Sequence, residues 1–222
     1  MILAVAGGKG GVGKTTVALN LARELDAVLV DADLGMADVP ASHGPDLHDV
    51  LAGRAAPVEA VREDGPVDVL PCGRSLSGAR AVETTALVAA VERVDRAYGG
   101  CVVDCPAGLS ADAGLPLLAA GLCVLVTTPD RVSLPDAVRT WALANELDAG
   151  VARVALNRAG DDPPTDRVER ALGAPTVAIP DSRTVAAATA SGRPVAAVAS
   201  NAPAVDRFRA LADGVRSCLG RS

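Results

Sequence analysis

Along the whole chain, short apolar runs alternate with segments whose apolar residues recur every three or four positions. The runs Ile2 to Ala6, Ala27 to Asp31, Val67 to Leu70, Cys101 to Asp104, Leu122 to Thr127, Val151 to Asn157 and Thr176 to Ile179 read as strands. Between them, Val17, Leu21 and Leu25 form one helical stripe, Leu87, Val91 and Val94 a second, and Leu134, Val138 and Trp141 a third. Ser133-Leu134-Pro135-Asp136 has the makings of a helix start: a capping serine, an early proline and an acid three residues on. Val205, Phe208, Leu211, Ala212, Val215 and Leu219 mark a closing helix. This alternation is the signature of βαβ units, so the pattern predicts an α/β fold with a mostly parallel central sheet flanked by helices. With 222 residues, no internal repeat and no low-complexity linker, residues 1–222 are expected to form a single domain.

Composition narrows the functional classes. Half of the residues are apolar but only Tyr98, Trp141 and Phe208 are aromatic, so the core must be built mostly from Ala, Val and Leu. A net charge of -6 argues against a protein that coats nucleic acid, and so few rings leave little for stacking bases. Met1 to Ala6 lacks a basic leader, and the longest uncharged stretch, Ala113 to Pro129, is short and broken by Gly114, Pro116 and Gly121. A cytoplasmic location is expected. The five cysteines, Cys72, Cys101, Cys105, Cys123 and Cys218, contain no C-x-x-C pair and read as mostly buried thiols. His43 and His48, the only histidines, read as surface residues.

The chemistry is concentrated near the N-terminus. Lys9 and Lys14 are the only lysines, and both stand in Gly7-Gly8-Lys9-Gly10-Gly11-Val12-Gly13-Lys14-Thr15-Thr16. All other basic side chains are arginine, so these two positions call for a compact ammonium on a flexible stem. Gly8 to Thr15 satisfies G-x-x-x-x-G-K-[ST], between a strand and a helix, which is the context this phosphate-binding loop requires. Gly8, Gly10, Gly11, Val12 and Gly13 supply backbone N–H groups around an anion, and the following helix adds its positive end. Lys14 is then expected on the outer phosphates and Thr15 on Mg2+. Thr16 either reaches an inner phosphate or is simply a helix residue. In parallel sheets ligands sit beyond the carboxyl ends of the strands, where Asp31-Ala32-Asp33 and Asp104-Cys105-Pro106-Ala107-Gly108 stand.

Lys-Gly-Gly-Val-Gly-Lys-Thr-Thr, with its early lysine, closely resembles the deviant phosphate loop of the MinD/ParA ATPases. The match extends over most of the chain: the two acidic segments, Thr128-Pro129-Asp130, Asn157-Arg158, and Ile179-Pro180-Asp181 through Gly192-Arg193-Pro194. The resemblance, nearer to MinD than to DNA-partitioning ParA proteins, implies a phosphate-loop NTPase three-layer fold binding ATP and Mg2+. It gives Lys9 a role in trans, on the phosphates of the partner subunit in a nucleotide-sandwich dimer. Asp33 matches the family residue that positions or activates the attacking water, and is counted with Thr15 and Asp104 among the groups around the metal. Asp31 is structural or a partner of the metal's water. Asp104 binds Mg2+ through water, and Gly108 contacts the γ-phosphate through its backbone. Asn157, Arg158 and Pro180 match the adenine-binding loops.

What the resemblance implies, then, is an ATPase, slow without a partner, that dimerises on ATP and regulates or positions an unidentified protein. Asp136 is either part of a partner-facing surface or an acid favouring its helix dipole. Arg207, Arg209 and Arg216 read as the solvated face of the closing helix, and the lysine-rich amphipathic tail of membrane-cycling relatives is not seen, which argues against direct membrane binding. Three alternatives stay open: a DNA or cargo partitioning ATPase, an iron–sulphur carrier using Cys101 and Cys105, and a biosynthetic ligase.

Overall fold

The computed structural model describes residues 1–33, 44–73, 86–108, 111–130 and 132–220; His43 lies outside them. In chain order these hold β1 (Ile2–Ala6), α1 (Lys14–Leu25), β2 (Val28–Asp31), α2 (Leu47–Leu51), β3 (Val69–Leu70), α3 (Ala86–Tyr98), β4 (Cys101–Asp104) and α4 (Ala111–Ala119). There follow β5 (Leu122–Thr127), α5 (Ser133–Glu146), β6 (Gly150–Ala159), α6 (Thr165–Leu172), β7 (Thr176–Pro180), α7 (Arg183–Ala190), α8 (Val195–Val198) and α9 (Pro203–Leu219). The seven strands make one parallel sheet in the order β3-β2-β4-β1-β5-β6-β7. The chain starts in the middle, runs outward through β2, returns through β4, and only then builds the other half. That reversal opens a crevice at the carboxyl end of β1, where the glycine-rich loop begins.

Both faces of the sheet are covered, which is why its strands are apolar throughout rather than alternating. Leu3, Val5, Leu29, Val102 and Val124 pack with Val17 and Leu21 of α1 and Phe208 and Leu211 of α9. On the opposite face, Ala4, Ala6 and Leu125 meet Ala137, Ala144 and Leu172, while Val28, Val30 and Val103 meet Leu47, Leu87 and Val91. Phe208 is the largest fully buried side chain; leucine, valine and alanine fill nearly all the rest. The expected α/β architecture, its seven strands and the closing helix are all present, with Leu219 of α9 exposed rather than buried.

Three local expectations are corrected. The fully buried side of α5 is Ala137, Thr140 and Ala144; Leu134 and Trp141 pack partly buried against the same core, and Val138 is exposed. Small residues there let α5 pack close against Ala4, Ala6 and Leu125 of the sheet. Ser133 does not cap α5, since its hydroxyl is hydrogen-bonded at 2.7 Å to Thr128 Oγ1 and the helix starts at Ser133 itself. His48 is buried rather than on the surface, at 3% exposure, with Nε2 3.6 Å from Cys72 Sγ. A five-residue helix turns it inward, and the Asp46–Asp49 capping box fixes that helix. Among the described residues no helix is long and apolar enough to cross a membrane.

Candidate nucleotide-binding site

Between β1 and α1 the chain wraps tightly. Gly13 precedes α1 with φ 97° and ψ 33°, a left-handed conformation that a β-carbon disfavours. A β-carbon at Gly13 would also fall 2.1 Å from Asn157 Nδ2, and one at Gly8 would fall 2.4 Å from the backbone carbonyl oxygen of Asp136 in α5. The loop is thus clamped from two sides, by β6 and by α5. Asn157 completes the clamp by donating from Nδ2 to the Val12 carbonyl at 2.9 Å. Helix α1 has neither a side-chain cap nor an acid in its first turn, so nothing of its own competes with an anion for the N-terminal N–H groups.

A cavity of about 420 Å³ opens against this loop, lined by Gly10, Gly11, Gly13, Lys14, Thr15, Asp33, Ala107, Arg158, Thr189 and Ala190. Lys14 is only 8% exposed, and an ammonium so far out of water calls for anionic partners. Lys9, in the same loop, is exposed. Thr15 and Thr16 are half-buried, and the Thr16 carbonyl accepts from Asn20 Nδ2 at 2.8 Å.

The carboxylates converge beside the loop. Asp31 and Asp104 stand opposite one another in the β2–β4 register, 0% and 1% exposed, and Val5 of β1 pairs with Asp104 on its other side. The Ala32 N–H donates to the Asp104 carbonyl at 3.1 Å, and the Asp33 N–H to Asp31 Oδ1 at 3.3 Å. Two buried acids side by side favour a cation between strand ends and phosphate. The donor set, a threonine hydroxyl with aspartates, is all oxygen and suits a hard divalent ion such as Mg2+. Among the described residues no cluster of three or more His, Cys, Asp or Glu could hold a metal alone; Mg2+ at such sites is completed by substrate phosphates and water.

Cys105 follows Asp104 directly, whereas Cys101 and Cys123 stand toward the amino ends of β4 and β5. Burial, then the Asp104 charge and Cys123, push the Cys105 thiol well above its usual range, with Lys14 pulling the other way. Burial raises Cys101, helped by Asp95, and Cys123 to about 12. Cys101 and Cys123 are 0% exposed and Cys105 1%, so none of the three offers its sulphur at the surface.

Of the residues singled out in the sequence, the cavity wall brings together Gly10, Gly11, Gly13, Lys14, Thr15, Asp33 and Arg158. Arg158 holds φ 54°, an uncommon value for a non-glycine, where the β6–β7 register shifts. Gly108 turns the chain with φ 93° just past Ala107. Asn157, expected at the adenine edge, has one N–H committed to the loop, and Pro180 ends β7 opposite Ala159, next to the lining residue Arg158 but not itself on the wall. Thr189 was missed: it is a wall residue, and among the described residues its buried hydroxyl has no hydrogen-bond partner. No motif flags a threonine in an alanine-rich helix; only the packing of α7 reveals it.

We expect Gly13→Ala to weaken nucleotide binding about tenfold or more, because the strained φ and the collision with Asn157 would both shift the loop. Titration with a fluorescent nucleotide checks this; an affinity within twofold of the parent would show that the loop tolerates a side chain there.

Residues 3–195 match the model of the CobQ/CobB/MinD/ParA nucleotide binding domain. An uncharacterised ATP-binding protein of Methanocaldococcus jannaschii is 32% identical, over 96% of this chain and 86% of the relative. The septum site-determining protein MinD of Bacillus subtilis is 28% identical, over 99% of this chain and 89% of its own. Among solved structures, Pyrococcus horikoshii MinD complexed with Mg-ADP superposes with a TM-score of 0.90 at 27% identity, covering 99% of this chain and 97% of that one. The loop, the buried lysine, the strand-end acids and these likenesses agree: the chain belongs to the CobQ/CobB/MinD/ParA family of nucleotide-binding proteins.

Proposed function

We propose that this protein is a Mg2+-dependent ATP-binding and ATP-hydrolysing switch, forming a nucleotide-sandwich homodimer and regulating or positioning a protein partner. The observation that carries this reading is the division of labour between two lysines of one loop: Lys14 is buried under it and Lys9 is exposed. Lys14 serves the phosphates of its own subunit, and Lys9 is available to those of a second copy. The relative solved with Mg-ADP supports the choice of nucleotide and ion.

Each residue then has a task. The loop N–H groups and Lys14 hold the phosphate chain. Thr15 and Asp104 would hold Mg2+, which would supply charge neutralisation at the phosphates. Asp33, its backbone fixed by Asp31, orients the attacking water. Arg158, with Thr189 beside it on the wall, faces the sugar or base, and Asn157 fixes the loop while presenting the rest of its amide to the base. Positioning and charge stabilisation supply most of the rate in phosphoryl transfer. The protein acts as one domain in the cytoplasm and turns over slowly until its partner binds.

The other readings find less support. Arg207 donates to the Ala178 carbonyl, while Arg209 and Arg216 on the exposed face of α9 stand beside Asp206, Glu24 and Asp213, which offset their charge. That disfavours a DNA-binding patch. The burial of Cys101 and Cys105 disfavours an iron–sulphur cluster bridged across a dimer surface.

Light scattering of the purified protein with Mg2+ and either ADP or ATP tests the proposal. Dimeric mass with ATP alone, accumulating further in Asp33→Ala, is the expected result. A mass indifferent to nucleotide would remove the sandwich mechanism and move a metabolic ligase ahead.

A further inference from the structure

Two buried side chains that the proposed mechanism leaves unused converge on the backbone of its water-orienting residue. Cys72, just past β3, is 1% exposed and its thiol donates to the Asp33 carbonyl oxygen at 3.1 Å. His48 of α2, 3% exposed, places Nε2 3.6 Å from the same sulphur. Imidazole and thiol can each donate or accept across this contact, the direction following the ring tautomer. The pair is fixed from outside. The His48 N–H donates to the Cys72 carbonyl at 3.1 Å, the Leu47 N–H to the Pro71 carbonyl at 2.8 Å, and a β-carbon on Gly73 would strike the Asp46 carboxylate at 2.6 Å.

We propose that His48 and Cys72 are positioning residues for hydrolysis: imidazole orients thiol, and thiol holds the Asp33 peptide so that its carboxylate stays at the cavity. This rests on the assignment of Asp33 to the attacking water. The Asp33 peptide is held at both ends, its N–H by Asp31 Oδ1 and its carbonyl by Cys72. Neither His48 nor Cys72 belongs to the cavity wall, so both act on the rate of the chemical step rather than on nucleotide affinity.

The test is single-turnover hydrolysis of Mg-ATP, with nucleotide affinity measured in parallel, for wild type, Cys72→Ala, Cys72→Ser, His48→Leu and Asp33→Ala. Loss of one buried hydrogen bond should slow Cys72→Ala roughly fivefold with affinity changed less than about twofold. Cys72→Ser, whose hydroxyl keeps a donor and an acceptor, should recover most of the rate, and His48→Leu should slow like Cys72→Ala. Equal losses in the serine and alanine variants, or a wild-type rate in Cys72→Ala, overturn the proposal. So does a Cys72→Ala defect confined to affinity. Asp33→Ala separates the two levels: if it hydrolyses normally, the role of Asp33 fails; if it is inactive while Cys72→Ala is normal, only the positioning role fails.

Discussion

Replacing Lys14 by alanine is expected to abolish nucleotide binding, lowering affinity by about 100-fold or more, while the apo protein keeps its fold. Lys14 is the basic side chain most deeply placed in the cavity wall, at 8% exposure, and it stands at the start of α1, whose N-terminal N–H groups carry no side-chain cap. Charge-assisted hydrogen bonds to phosphate in such a site are each worth about 2 kcal/mol, and an ammonium can make more than one. Arginine is not a substitute. A planar fork cannot replace a flexible ammonium under a loop pinned by α5 and Asn157. Isothermal titration with Mg-ADP checks the loss, and thermal melting checks the fold. Binding within fivefold of wild type in Lys14→Ala would mean that the cavity holds its ligand by other groups.

Lys9→Ala is expected to leave ADP affinity within about twofold but to remove the ATP-dependent dimer and slow hydrolysis by about 100-fold. Lys9 is exposed and is not one of the wall residues, so its own subunit's nucleotide loses little. A cation supplied across an interface to developing phosphate charge is worth several orders of magnitude in comparable transfers. The two lysine variants therefore separate binding from assembly. Measuring mass and phosphate release on the same preparation decides the point; normal dimerisation and turnover in Lys9→Ala would end the argument for a role in trans.

The sequence alone carried the fold class. Strands buried on both faces have to be apolar along their length, so the seven runs stood out, and Val17, Leu21, Leu87 and Phe208 kept helical spacing because one stripe of each helix meets the sheet. It carried the phosphate loop as well, since only glycines and one lysine at fixed spacing can wrap an anion with backbone N–H groups. Local pattern failed where a neighbour in space, not in sequence, set the requirement. Position 8 has to be glycine because the α5 backbone approaches it, a contact between positions 8 and 136. Asn157 grips Val12 across 145 residues, Thr189 reaches the cavity from a helix with no motif, and His48 turns inward to a cysteine 24 positions away. Sequence fixes what a segment can become by itself, through periodicity and backbone freedom. The tertiary structure decides which polar side chains are removed from water together, because that depends on the strand order that brings β1, β2, β4 and β6 to one rim.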